Sequence, residues 1–209
     1  MIIYLMRHGE TEWNREGRLQ GQSDVPLNAL GLDLARKTAA GLRDVPFDAA
    51  FSSPLQRALV TAQIVVGDRK LQVVTDDRLK EIHFGAGEGA RFAAAKEDPG
   101  HPLHDFFCRP DRYCPAEGAE TIGQAGARAH SFLRDRLLPL EERCENVLVV
   151  AHGALNRCIL NMAAGIPEKD FWRISLPNCA VSILALDKGM LKVLEESRVY
   201  YDGPVNGRP

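Results

Sequence analysis

Along the chain, short runs of consecutive apolar residues alternate with stretches in which apolar residues recur every three or four positions. The runs predict strands near residues 2–6, 48–51, 71–74, 146–151 and 179–186, with a last strand near 190–196. Asp187-Lys188-Gly189 is a short turn, so the last strand is expected to run antiparallel to its neighbour. The amphipathic stretches predict helices near 30–43, 54–67, 119–139 and 153–164. Pro54 in the first turn, with serines just before it, marks the start of the second. This alternation predicts an α/β fold: a three-layer sandwich with a mostly parallel sheet and helices on both faces. Residues 85–118 break the pattern with Gly85, Gly87, Gly89, Pro99, Gly100, Pro102, Pro110, Pro115 and Gly118. A small cap or lid insertion with one or two short helices is expected there. The end of the chain, Gly203 to Pro209, has little to bury and is expected to fray.

At 209 residues the chain fits a single domain over 1–209, with the 85–118 cap inside it. A formal charge of −2 argues for neither nucleic acid nor an anionic membrane. Attraction for an anionic substrate would have to come from a few clustered arginines. Five cysteines, an odd number without metal-like spacing, read as buried or idle thiols in a reducing cytosol. The N-terminal apolar run is too short for a signal peptide, and no segment is long enough to span a bilayer, so a cytoplasmic location is expected.

The candidate chemistry sits at strand ends. Ile2-Ile3-Tyr4-Leu5-Met6 leads directly into Arg7-His8-Gly9-Glu10-Thr11, and Val147-Leu148-Val149-Val150-Ala151 leads into His152-Gly153. In open α/β sheets ligands bind outside the carboxyl ends of the strands, which is where both His-Gly pairs fall. Between them lie Asn14, Arg18-Leu19-Gln20-Gly21, Ser53-Pro54-Leu55-Gln56-Arg57, and Leu79-Lys80-Glu81-Ile82. A neutral imidazole can attack a phosphomonoester without the repulsion an anionic nucleophile meets, and guanidinium forks grip phosphoryl oxygens in a way lysine cannot.

These motifs, in this order and over nearly the whole chain, resemble the histidine phosphatase superfamily, the phosphoglycerate mutase-like group. The resemblance implies that His8 is the phosphate-accepting nucleophile. Arg7, Arg57 and His152, protonated or hydrogen bonding, would line the phosphate pocket, and Glu81 would be the proton donor. Asn14, Gln20, Gly21 and Gly153 match positions that bind substrate or close the pocket rim. No metal and no cofactor is implied, because guanidinium and imidazole groups supply the positive charge.

The implied activity is hydrolysis of a small phosphorylated metabolite through a phosphohistidine, with a monomer or homodimer and no nucleic-acid or membrane partner. Phosphoryl transfer of the cofactor-dependent phosphoglycerate mutase type, and a non-catalytic phospholigand-binding module, are the alternatives. The basic residues of the short cap (Arg91, Lys96, Arg109, Arg112) are scattered, which favours hydrolysis over the mutase. Phe171-Trp172-Arg173-Ile174 with Asn178 is similar to α-ribazole phosphatases. Two departures fall where the rest of the substrate should be read: Gly87 stands where phosphatases often carry tryptophan, and Gly118-Ala119-Glu120-Thr121 replaces a Gly-Gly-Glu-Ser-like element. His101 and His104 have helical spacing without further ligands and read as a lid surface.

Overall fold

The computed structural model describes residues 1–202, so the expectation for Gly203 to Pro209 lies outside the described residues. The apolar runs form β1 (Ile2–Arg7), β2 (Ala49–Ser52), β3 (Val73–Thr75), β4 (Asn146–Ala151), β5 (Val181–Asp187) and β6 (Met190–Arg198). They join in one sheet in the order β3-β2-β4-β1-β5-β6. The first four strands are parallel; β5 runs antiparallel beside β1, and β6 antiparallel beside β5. Lys188 and Gly189 both take positive φ, 51° and 75°. Such a pair matches the twist of the strands it joins, and the hairpin anticipated at Asp187-Lys188-Gly189 closes there.

Alternation along the central strands produces the three layers. Ile3 and Leu5 of β1, with Val147, Val149 and Ala151 of β4, pack against the helices α6 (Ile122–Phe132) and α7 (Gly153–Ala164). Met6, Leu148 and Val150 point the other way, onto α2 (Ala29–Gly41) and α3 (Gln56–Val66). Successive side chains point to opposite faces, so a strand covered on both faces must be apolar throughout.

Two helix boundaries differ from the sequence expectation. Pro54 does not sit in the first turn of α3, because Leu55 is still extended at φ −63°, ψ 132°. The Gln56 N–H is instead accepted by Asp24 Oδ1 at 2.7 Å, from a loop thirty-two residues away. The helix expected over 119–139 starts at Ile122, where Thr121 and Gln124 form a reciprocal capping box. It leaves α geometry after Phe132, passing through a π turn at Leu133–Leu137 and a 3-10 turn at Leu138–Leu140. Pro139 has no N–H to donate, so a regular α ladder cannot continue through it.

Residues 85–118 carry the short helices α4 (Phe92–Glu97) and α5 (His104–Cys108), which follow α1 (Glu12–Arg15) in our numbering. Their core is aromatic. Phe106 is fully buried, with ring centroids 4.9 Å from Phe84 and 5.1 Å from Trp172. A Cβ on Gly87 would stand 2.8 Å from Leu103 Cδ1, so Leu103 fills the space that a larger side chain at position 87 would take.

Candidate active site

The parallel register of β1 and β4 pairs Arg7 with Ala151, so each strand delivers its histidine one step later on the same edge. The His8 N–H donates to Ala151 O at 3.0 Å, and the rings of His8 and His152 lie 5.1 Å apart. His8 Nδ1 lies 2.7 Å from Gly9 O. A carbonyl can only accept, so Nδ1 carries the proton and the Nε2 lone pair is left open. The His8 carbonyl accepts from Cys179 N at 3.2 Å and Asn178 Nδ2 at 3.1 Å. Cys179 reaches that position with φ at +60°, a strained conformation for a side chain of its kind. Burial, then Arg57 and Arg7, hold His8 well below the ordinary imidazole value, so the ring is neutral.

His152 is fully buried, and neither ring nitrogen has a partner among the described residues. Burial, then Arg57 and His8, depress its pKa well below 6.5. Of the two forms expected from the sequence, the protonated one is therefore corrected: His152 is a neutral ring standing behind His8.

Arg7 and Arg57 bear on the pair, and a third guanidinium stands close to Arg7. Arg7 Nη1 donates to Leu176 O at 2.5 Å, and its Nε is buried without a partner. Arg57, in the first turn of α3 and fully buried, uses both terminal nitrogens on the loop between α1 and α2. Nη1 donates to Ser23 O at 2.8 Å and Nη2 to Gly21 O at 2.7 Å. Burial lowers its pKa to about 10. The third, Arg157 on α7, was not singled out in the sequence. Nε donates to Ile174 O and Nη1 to Gly153 O, both at 3.0 Å, while Nη2 is buried without a partner. Burial, then Arg7, lowers its pKa to about 9. Arg157 is the one formally charged side chain between Asn146 and Glu168, which marks it in the sequence without revealing its role. All five of these guanidinium bonds end on carbonyls, so desolvated positive charge gathers here and favours an anionic ligand.

Glu81 faces the arginines. Its Oε1 accepts from Ile82 N at 3.0 Å and Leu155 N at 2.9 Å, and its Oε2 from Ala154 N at 3.0 Å. It thereby caps the N-terminus of α7, where His152 as N-cap offers no side-chain acceptor. Arg128 fixes the segment, donating to the carbonyls of Arg78, Lys80 and Glu81 while pairing with Glu120 at 2.8 Å. Oε2, with one such bond against two on Oε1, has the lighter load of the two oxygens.

The predicted rim residues gather at the same place. Asn14 and Thr11 form a capping box on α1, and Asn178 Nδ2 donates to Asn14 Oδ1 at 3.3 Å. Gln20 Oε1 accepts from Thr11 Oγ1 at 3.0 Å. Gly21 has φ +53°, and an added Cβ would collide with Glu88, whose carboxylate accepts from Gln22 N and Ser23 N at 2.8 Å. Gly153 leaves open a point within 4 Å of Arg157 Nη1, Arg7 Nε and Glu81 Oε2.

These groups surround a cavity of about 580 Å³. His8, Arg7, Arg57, Glu81, Asn14, Gln20, Gly21 and Gly153 line it; His152, expected to line the pocket, is not among the lining residues and lies 5.1 Å from the His8 ring. Trp172 and Asn178, noted in the sequence only for their similarity to α-ribazole phosphatases, lie on the wall, as do Phe84, Phe92, Phe106 and Phe107, to which the sequence assigned no role. Arg91, Lys96, Arg109, Arg112, His101 and His104 are not among the residues lining it. Among the described residues, no group of three or more His, Cys, Asp or Glu is arranged to hold a metal ion. A neutral histidine with an open nitrogen, beside desolvated guanidinium groups and a carboxyl, is equipped to accept a phosphoryl group and move a proton.

Residues 3–197 match the histidine phosphatase superfamily (branch 1), and the chain belongs to that family. It is 30% identical over 185 residues to a protein of Hydrogenobacter thermophilus named phosphoserine phosphatase 2, covering 88% of this chain and 89% of that one. It is 34% identical over 182 residues to a Proteus mirabilis protein named phosphoglycerate mutase GpmB, covering 86% and 82%. A protein of Arabidopsis thaliana named 2-carboxy-D-arabinitol-1-phosphatase is 33% identical over 87% of this chain, a match that spans 37% of that longer relative. Among solved structures, YhfR of Bacillus stearothermophilus superposes with a TM-score of 0.87 at 32% identity, covering 95% and 97%. The α-ribazole phosphatase of Shigella flexneri gives 0.83 at 25% identity, covering 95% and 96%. The family anticipated from the strand-end motifs is thus the one found, with an α-ribazole phosphatase among the structural neighbours. No described helix is long and apolar enough to cross a membrane.

Proposed function

We propose that this protein is a metal-independent phosphomonoesterase that hydrolyses a small phosphorylated metabolite through a phosphohistidine on His8. The observation that carries this reading is the tautomer of His8: Nδ1–H is tied to Gly9 O, and Nε2 is open beside Arg7 and Arg57. Nε2 attacks phosphorus, the ester P–O bond breaks, and a proton on Glu81 passes to the leaving oxygen. Arg7 and Arg57, with the support of His152, hold the phosphoryl oxygens as charge spreads over them. A water then gives its proton to Glu81 and its oxygen to phosphorus, the N–P bond breaks, and inorganic phosphate leaves with His8 neutral again. General acid catalysis of this kind is worth roughly 10²–10⁴ in rate.

Transfer between phosphoglycerates is the second reading, favoured by the relative named phosphoglycerate mutase. Hydrolysis is supported against it by the cap: its four basic residues are absent from the cavity wall, so nothing there encloses a second phosphate. The test is a panel of phosphomonoesters with a chelator present. Phosphate release unaffected by the chelator is expected. Exchange between 2- and 3-phosphoglycerate without release would install the mutase, and binding without turnover would leave a ligand-binding module.

A further inference from the structure

Arg157 is costly to keep where it is. Its side chain is buried among Gly153, Ile174 and Trp172, over whose ring the guanidinium carbon sits at 4.7 Å. Two of its three nitrogens hold carbonyls, and Nη2 has no partner. Removing a guanidinium from water without a carboxylate to bond it is unfavourable, and the Trp172 ring and two carbonyls offset that cost only in part.

Its position within the cavity indicates what it serves. Arg7 and Arg57 are the charges that bear on His8, and Arg57, Arg128 and Arg7 those that bear on His152. Arg157 figures in neither set. Its Nη1, at 3.5 Å, shares an open point at Gly153 with Arg7 Nε and Glu81 Oε2, both at 3.7 Å, which puts Arg157 on the proton donor's side of the cavity. The leaving oxygen must reach Glu81 to receive its proton. A group carried within two carbons of the one bearing that oxygen therefore comes up against Arg157 and the Trp172 ring.

We propose that Arg157 is a specificity residue that binds an anionic carboxylate on the leaving group, making small phosphorylated carboxylic acids the preferred substrates. The inference rests on the phosphatase reading and deepens it. A carboxylate would give Nη2, the one nitrogen of Arg157 without a partner among the described residues, a charge-assisted bond in a site already stripped of water.

A matched pair of substrates tests it. 3-Phosphoglycerate and glycerol 3-phosphate differ only in carboxylate against hydroxymethyl. In the unaltered protein kcat/KM should favour 3-phosphoglycerate by about tenfold or more, the size of one charge-assisted hydrogen bond. Arg157→Gln should erase that preference, lowering kcat/KM for 3-phosphoglycerate by about ten- to a hundredfold and for glycerol 3-phosphate by less than about threefold. Arg157→Lys keeps the charge but not the bonds to Ile174 O and Gly153 O that fix the side chain, and should fall between the two. Equal losses on both substrates would overturn the proposal, since Arg157 would then serve the phosphoryl group or the fold. So would an unaltered protein that turns over both substrates equally well. Failure to release phosphate from either substrate would count against the phosphatase reading itself, and is distinguishable from both.

Discussion

Glu81 combines two tasks that usually fall to different residues. Its carboxyl caps α7 through Ala154 N and Leu155 N, and in the proposed reaction it also gives the leaving oxygen its proton. Glu81→Gln keeps an acceptor for the helix and removes the transferable proton. Turnover of alkyl phosphates should fall by about 10²–10⁴, while aryl phosphates, whose leaving groups need little protonation, should lose far less. Equal losses on both classes would remove Glu81 from the proton path. His8, Arg7, Arg57 and His152 were legible because each sits in a short motif at a strand end or a helix start, whereas Glu81, in an irregular segment, was singled out only through the family resemblance. Arg157 was not. A lone arginine in an apolar helix has a role only once Ile174 and Trp172, brought back by the next loop, close over it.

At the scale of elements, the site depends on how closely the loop after β1 approaches the start of α2. A Cβ on Gly31 would stand 2.1 Å from Glu10 O, and one on Gly9 2.6 Å from Gly31 O. The loop that orients His8 is also held by Thr61 of α3, whose Oγ1 accepts from Gly9 N at 3.0 Å. Gly31→Ala should therefore destabilise the protein by about 1–3 kcal/mol, the usual cost of overpacking. It should also reduce activity by displacing Gly9 and its bond to His8. Urea unfolding alongside a turnover assay would check both; an unchanged midpoint would show that the contact relaxes freely. The strands and α7 could be read from periodicity because burial on two faces, or one stripe, writes itself into local sequence. The start of α3 could not, since its capping group is Asp24 from a distant loop. The end of α6 depended on a π turn ahead of Pro139, which periodicity does not register.

Across the whole molecule, a chain of formal charge −2 concentrates five arginines and one glutamate as the charged residues of its cavity wall. The same burial makes stability depend on pH. His8 and His152 are held neutral in the fold, with pKa values well below 6.5. Below pH 6.5 the unfolded chain therefore binds more protons than the folded one, and stability present above that pH is lost as pH falls. The slope is about 1.4 kcal/mol per pH unit for each histidine. Denaturation midpoints between pH 7.5 and 5.5 should drop accordingly, and His152→Asn should flatten the curve by about half; a flat profile in the unaltered protein would mean the rings titrate normally. The central claim, covalent catalysis by His8, is tested most directly by quenching the enzyme during turnover of a phosphomonoester and assaying protein-bound phosphate. The account predicts acid-labile, alkali-stable phosphate on His8, and neither phosphate on protein nor turnover in His8→Ala. Turnover that persists in His8→Ala, or proceeds without any phosphorylated protein, would contradict it.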